Sequence, residues 1–245
     1  MGKVWFQLSV SLDGFSAGPH QSEKDPIGVG GMKLFDWQFA LEAWRRLTGQ
    51  EGGESNASTP VFQEALSNYG AVVMGRNMFG GGPGPWSADR PWSGWWGDEP
   101  PYHTPVFVLT HHARDPLSMK GETTFFFVTD GIESALKQAQ HAAGSENVLL
   151  GGGPNVVQQY LAAGLVDEFE LHLVPVILGG GERLLEAVGT PELGQMRVIE
   201  APGVTHIKYR VARRPLQLTQ PGQGLSAEPG GGQDASAFTD TPGRS

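Results

Sequence analysis

The chain of 245 residues contains no cysteine. Disulfides, thiolate nucleophiles and cysteine-ligated zinc are therefore excluded. No apolar run approaches the roughly 20 residues that a membrane span requires. The first residues, MGKVWFQLSVSLDG, read as a short strand and lack the apolar core of a secretory signal. Phe6 stands where a myristoylation signal carries serine or threonine. Cations are scarce: 17 Lys and Arg against 26 Asp and Glu leave a formal charge of -9. That balance argues against nucleic acid as a partner, because such proteins usually show a basic stripe, but it leaves room for a local cationic site for phosphate. These absences imply a soluble, cytoplasmic protein acting on small molecules, with no role for nucleic acid, membrane or metal.

Glycine and proline are plentiful, at 36 and 18 residues. The last stretch, 215–245, is rich in Gly, Pro, Ser and Gln and poor in apolar residues, so it reads as a disordered tail that cannot bury enough surface to fold. The preceding domain, 1–214, alternates element types. Strands are expected at 3–10, 71–75, 105–110, 124–129, 147–150, 168–176, 196–200 and 204–212, from short runs of Val, Phe, Leu and Ile bounded by turn residues. Helices are expected at 35–48, 60–68, 131–142 and 154–163, the third capped by Thr129 or Asp130. Early strand–helix alternation followed by strands without an intervening long helix predicts an α/β fold. Its central sheet would be mixed and mostly parallel, with antiparallel C-terminal strands. Residues 80–104 form a long loop carrying Trp86, Trp92, Trp95 and Trp96. It is read either as a segment packed on its own domain or a partner, or as a lid over a ligand.

Three strands end in residues suited to an anionic ligand. VLLGGGPNVV stops at Gly151, Gly152 and Gly153, and Pro154, Asn155 and Val156 then begin an amphipathic helix. Glycines permit a close backbone approach, and a helix N-terminus offers unpaired N–H groups. Tight strand–helix packing explains the same residues, and the spacing is not the dinucleotide fingerprint. AVVMGRNM places Gly75, Arg76, Asn77 and Met78 after a buried strand, with Arg76 either a phosphate ligand or an ordinary exposed arginine. VFVLTHHAR ends a third strand with Leu109, Thr110 and His111, followed by His112 and Arg114. Adjacent histidines point in different directions and make a poor joint metal site. SVSLDGFSAG closes the first strand with Ser11, Asp13 and Gly18, a turn or the border of a ligand's reactive end. Ligands of open α/β sheets gather at the carboxyl ends of strands, so one extended anion could touch all of these.

The order of SLDG, VVMGR, VFVLT, VTDGIESAL and VLLGGGPNVVQQYLAAGLVDEFELHLVPVILGGG across residues 3–211 resembles the dihydrofolate-reductase-like family. It is most similar to the branch that includes the reductase domain of the bifunctional riboflavin-biosynthesis deaminase/reductase. The resemblance implies that NADPH transfers hydride to a C=N or C=O bond of a small, pterin- or pyrimidine-like substrate, within a homodimer. It implies that Gly75 and Arg76 meet the phosphates, that Leu109, Thr110 and His111 line the adenosine, and that Gly151–Gly153 and the helix start meet the pyrophosphate and nicotinamide. Ser11, Asp13 and the loop to Gly18 would border the nicotinamide, and a cis peptide is expected within Gly151–Gly153. Asp36 and His172 are the candidate proton donors. The chain departs from its relatives at Met78, in place of a threonine, and at Leu150–Gly151, where the riboflavin branch carries an acid. Those departures leave the substrate open and set beside the reductase an alternative, a non-catalytic NADP(H)-binding sensor.

Overall fold

Runs such as VWFQLSVS, AVVMG and TFFFV are dense in β-branched and aromatic residues, which fit a pleated surface buried on both sides. They form the middle of the molecule. The computed structural model describes residues 2–89 and 92–212, and the stretch 215–245 lies outside them. In chain order the elements are β1 (Val4–Ser11), β2 (Phe15–Ala17), a 3-10 turn (Gly31–Phe35), α1 (Asp36–Phe39), α2 (Glu42–Leu47), α3 (Ser58–Ser67), β3 (Ala71–Gly75), α4 (Arg76–Phe79), β4 (Pro105–Leu109), β5 (Leu117–Ser118) and β6 (Thr124–Val128). They continue with α5 (Ile132–Ala143), β7 (Val148–Leu150), α6 (Pro154–Ala162), β8 (Glu168–Val174), β9 (Glu182–Arg183), β10 (Leu193–Ala201) and β11 (Val204–Val211).

A nine-stranded sheet runs in the order β10-β11-β8-β1-β7-β3-β4-β6-β5. Its interior, from β8 to β6, is parallel throughout. The hairpin β10–β11 adds antiparallel strands at one edge and β5 closes the other. This is the mixed, mostly parallel α/β sheet expected from the sequence.

Alternation along β1 separates two faces. Val4, Phe6 and Val10 join the core beneath α5 and α6, with Ala135, Leu136, Ala139, Val157, Tyr160 and Leu161. Trp5 and Ser9 face the opposite layer, where Trp5 meets Ala65 of α3 and Ser9 meets Trp37 of α1. That second layer is built in two ways. Helices α1–α3 cover the β1/β8/β11 side, whereas β3, β4 and β6 are covered largely by the tryptophan loop together with the end of the short helix α4. There Phe79, Trp86, Trp92, Trp96 and Tyr102 pack on Val72, Met74, Val106, Val108, Phe125 and Phe127. The indole N–H groups of Trp86 and Trp92 donate to the His112 and Phe79 carbonyls at 2.8 and 2.7 Å. Of the two readings of the tryptophan loop, these contacts support packing on its own domain.

Two expectations are corrected. The helix over 35–48 is broken: Leu41 is buried in extended backbone, and the Glu42 N–H donates to the Glu54 carbonyl while the Glu54 N–H donates to that of Ala40. Tertiary pairing there overrides helical propensity. Helix α5 is preceded by Gly131 without a side-chain cap; Asp130 instead accepts from Ser134 Oγ at 2.7 Å.

Candidate active site

Because the interior strands are parallel, Ser11, Val174, Leu150, Gly75, Leu109 and Val128 all end on one edge of the sheet. The glycine triplet follows β7 at its centre. Each glycine there has a different reason. A Cβ on Gly151 would lie 3.0 Å from Val72 Cγ1, so this position packs. Gly152 has φ +100, outside the range of ordinary side chains. A Cβ on Gly153 would meet nothing within 4 Å. Gly75 packs against α6, where its Cβ would come within 2.8 Å of Val156 Cγ2, and its N–H donates to the Gly152 carbonyl at 2.8 Å. The Gly152–Gly153 peptide is cis, as expected. Among the described residues the N–H groups of Gly152, Gly153 and Asn155 find no backbone acceptor, and Pro154, the first residue of α6, has no N–H to offer. Met78 reaches the same point, its Sδ 4.0 Å from the Cβ position of Gly152, and so does Leu8, at 3.9 Å. Asn77 is exposed and Val156 is buried.

At the end of the neighbouring strand β3, Arg76 does not extend freely. Its Nε and Nη2 donate to the Gly80 and Gly81 carbonyls, both at 3.2 Å, and Nη1 lies 3.4 Å from Thr110 Oγ1. Its guanidinium carbon sits 3.2 Å from the centre of the Trp86 ring. Arg114 approaches that ring to 5.0 Å and the Phe127 ring to the same distance, and it donates to the Trp92 carbonyl at 2.7 Å. Burial holds both guanidiniums below the usual arginine range, and for Arg76 the nearby Arg114 charge adds to it. Among the described residues neither has a carboxylate within ion-pair distance. His111 is exposed, Leu109 is half-buried, and Thr110 is buried with its N–H donating to the Val128 carbonyl. Trp86 and Arg114 belong to this corner, although no spacing in the sequence links positions 28 residues apart.

Asp13 acts on another loop. Its carboxylate accepts from Ser11 Oγ at 2.6 Å and from the Leu178 and Gly179 N–H groups at 3.1 and 2.7 Å. The Ser11 hydroxyl and these amides hold the carboxyl down at about 2. Ser11 and Asp13 thus tie the end of β1 to the glycine-rich segment 177–181. Gly18, assigned to the cofactor from the resemblance, is occupied by packing: a Cβ there would lie 2.1 Å from the Val29 carbonyl oxygen.

The proton donors are not brought together. Asp36 is exposed at the start of α1, and among the described residues its carboxylate has no hydrogen-bond partner. Its neighbour Trp37 points inward and donates to Ser9 Oγ at 3.2 Å. His172 is buried beneath Trp37, 2.8 Å from His206 through the two Nδ1 atoms and 3.1 Å from Gln7 Oε1 through Nε2. His206 Nε2 in turn lies 2.9 Å from Ser58 Oγ. Burial, reinforced by the Arg197 charge and, for His172, by its partner ring, pushes both imidazoles well below their ordinary value. His172 is therefore a neutral member of a buried polar chain, which corrects its assignment as a free proton donor. The spacing of positions 172 and 206 gave no sign of this pairing; it arises from the β8–β11 register. A shallow depression of about 360 Å³ lined by Lys3, Asp167, Glu168, Arg210, Val211 and Ala212 lies at the opposite ends of these strands and is not part of this edge.

A mostly parallel sheet with an antiparallel C-terminal hairpin, and glycines and cations along its strand ends, defines an α/β domain with a candidate site for an anionic ligand on that edge. The chain belongs to the RibD C-terminal domain family, whose model matches residues 2–207. That family comprises oxidoreductases of the riboflavin-biosynthesis reductase type. Among solved structures, a putative riboflavin biosynthesis protein from Shewanella sp. PV-4 is similar at 19% identity and a TM-score of 0.53, over 86% of this chain and 99% of that one. RibD from Acinetobacter baumannii is similar at 13% identity and a TM-score of 0.51, over 86% of this chain and 58% of that one. These likenesses bear on the fold. No curated protein sequence matches the chain.

Proposed function

We propose that the protein is an NADPH-dependent reductase of a small heterocycle, of the pterin or pyrimidine class. The observation that carries the reading is the strand-end edge itself: open space at Gly153 and, among the described residues, amides of Gly152, Gly153 and Asn155 without backbone partners and the cations Arg76 and Arg114 without carboxylates. Such a set fits an extended anion. The cofactor, when bound, supplies the hydride. Gly151–Gly153 and the start of α6 would hold its pyrophosphate, and Arg76, Thr110 and His111 its adenosine end. Ser11 and Asp13, by fixing segment 177–181, shape the side on which the substrate enters. Leu8, Met78 and Trp37 supply apolar surface that excludes water from it.

Asp36 is the remaining side-chain candidate for moving a proton, because both ring nitrogens of His172 are engaged. That engagement is also the observation that favours the second reading, a cofactor-binding sensor without turnover. Following NADPH oxidation at 340 nm against a panel of pterins, pyrimidines and reactive carbonyls separates the two. Turnover of one compound supports the reductase, and tight NADPH binding without any turnover supports the sensor. Absence of NADPH binding overturns both.

The protein would work in the cytoplasm as a homodimer. Among the described residues no helix is long and apolar enough to cross a membrane. The sheet face formed by Leu171, Leu173, Ile207 and Tyr209 is half-buried, and beside it Met196 and Val198 are exposed on the edge strand β10. A second copy would cover that surface. Sedimentation at micromolar concentration gives the mass that decides it.

A further inference from the structure

The buried chain under Trp37 has a direction, because only one placement of its protons satisfies every contact. Gln7 Oε1 can only accept, so His172 Nε2, 3.1 Å from it, carries a proton. The other nitrogen of a neutral imidazole is then an acceptor. The proton between the two Nδ1 atoms, 2.8 Å apart, therefore belongs to His206. His206 Nε2 is in turn an acceptor, and the Ser58 hydroxyl donates to it at 2.9 Å. Donation runs from Ser58 to His206 to His172 and ends on the carboxamide oxygen of Gln7. Fixing that oxygen also fixes where the amide nitrogen points.

Nothing in the protein takes up that nitrogen. Among the described residues Gln7 Nε2 has no hydrogen-bond partner, and it is not one of the unpartnered atoms sealed from solvent. Glu170, level with Gln7 on β8, is buried and receives Arg197 Nη2 at 3.1 and 2.9 Å instead. On β1, Gln7 is half-buried between two covered neighbours: Trp5, whose indole donates to the Asn68 carbonyl just after α3, and Ser9 beneath Trp37. Continuing the Trp5–Leu149 register brings Gln7 level with Gly151 on the adjacent strand, about 5 Å away. This is the seam between helices α1–α3 and the tryptophan loop, beside the strand-end edge.

We propose that Gln7 is a specificity-determining residue whose Nε2 amide donates to a ring carbonyl of the substrate, and that Ser58, His206 and His172 are positioning residues that keep this donor turned toward the seam. The inference rests on the reductase reading above and narrows it. The substrate is a heterocycle with an oxo group on the edge that meets β1. An amino group at that place would set donor against donor, and the fixed chain prevents the carboxamide from turning over to meet it.

The test measures calorimetric binding of three probes to the full chain, with and without NADPH: 5,6-diaminouracil, 4,5,6-triaminopyrimidin-2-one and 2,5,6-triaminopyrimidin-4-one. They differ only in which oxo group is replaced by an amine. The wild type should bind 5,6-diaminouracil about tenfold or more tighter than one of the two analogues. Gln7→Glu keeps an acceptor for His172 but loses the amide donor, so it should level or invert that preference. Gln7→Met should weaken 5,6-diaminouracil to the level of the poorer analogue. Nitrogen-15 spectra of the wild-type histidines at neutral pH should show His172 protonated on Nε2 and His206 on Nδ1. Thermal midpoints of the variants confirm that they fold. Equal binding of all three probes by the wild type, a preference unchanged in Gln7→Glu, or the opposite tautomers would each overturn the inference. If no probe binds, the assignment of Gln7 falls, and the reductase reading stands wherever NADPH is oxidised against another compound. If the preference depends on Gln7 but nothing is ever reduced, the assignment stands and the reductase reading falls.

Discussion

The pair His172–His206 makes a prediction about acid stability that can be worked through. Only one proton fits between Nδ1 atoms 2.8 Å apart, and the outer nitrogens are met by Gln7 and Ser58. Trp37 closes the group from α1 at 4.9 Å from both rings. The charges that face it from β10, β11, β8 and α3 are Arg197, Lys208, Glu170 and Glu64, joined in one network with contacts of 2.7–2.9 Å. Burial and the Arg197 charge hold His206 down to about 4, and His172 is depressed further. An unfolded histidine titrates near 6.5. Both imidazoles thus stay neutral in the fold while the unfolded chain takes up protons, so stability is intact above pH 6.5 and falls as pH drops below it. Between pH 7 and pH 5 each imidazole accounts for about 2 kcal/mol, hence about 4 kcal/mol for the pair. Against a typical total of about 5–15 kcal/mol this is a large fraction. The Asp13 carboxylate does not confuse the measurement: depressed to about 2, its contribution is lost as the pH falls from the ordinary carboxylate value near 4 toward about 2, below the range measured. Urea unfolding at half-unit steps from pH 7.5 to 5 measures the effect. The variant His172→Gln/His206→Asn should lose most of the pH slope even if it is less stable at pH 7. A wild-type stability that is flat over this range, or a slope unchanged in the double variant, would refute the reasoning.

Three further outcomes are expected. Gly75→Ala should lose about 1–3 kcal/mol, because its Cβ would meet Val156 Cγ2 at 2.8 Å; the double variant with Val156→Ala should recover part of it in a thermal-melt cycle, and strict additivity would count against the contact. Phe79→Ala should lose about 3–5 kcal/mol, since this fully buried ring joins Trp86, Phe125 and Phe127, and a midpoint close to wild type would show that the tryptophan loop is not anchored through it. Asp13→Asn should raise hydrogen exchange at Leu178 and Gly179, whose amides the carboxylate receives, and unchanged protection there would remove the latch.

The parallel sheet was legible because β3, β4, β6 and β7 are short apolar runs that end in or are followed by Gly or Thr, and that local pattern needs no knowledge of its neighbours. The edges of elements were also close: β3 occupies 71–75 as read, and α6 ends at Ala162 rather than 163. What escaped was set by contacts distant in the chain. Helix 35–48 has continuous helical periodicity, yet Leu41 is pulled into extended backbone by Glu54. The strands Phe15–Ala17 and Glu182–Arg183 are too short to carry a period and exist only as each other's partners. The four tryptophans stand out in the sequence, but nothing in composition says that a loop can stand in for a helical layer.

The same distinction separates the two halves of the site. On the side proposed for the cofactor, the glycines and Arg76 are notable for backbone geometry and charge at consecutive positions, so the sequence exposes them. On the side proposed for the substrate, the relevant fact about His172 is its partner, and that partner lies 34 residues away on an antiparallel strand. An isolated histidine on a strand reads as a group that titrates near neutrality. Paired with a second imidazole under an indole, it becomes a neutral hydrogen-bonding residue with no proton to give at physiological pH. Asp36 gains in importance by that exclusion, because its carboxylate is exposed and, among the described residues, without a hydrogen-bond partner. A pH profile of turnover that changes when Asp36→Asn is introduced, and does not change with His172→Gln, is the pattern this arrangement requires. The reverse pattern would return the proton to His172 and would mean that Trp37 and Gln7 move aside when substrate binds.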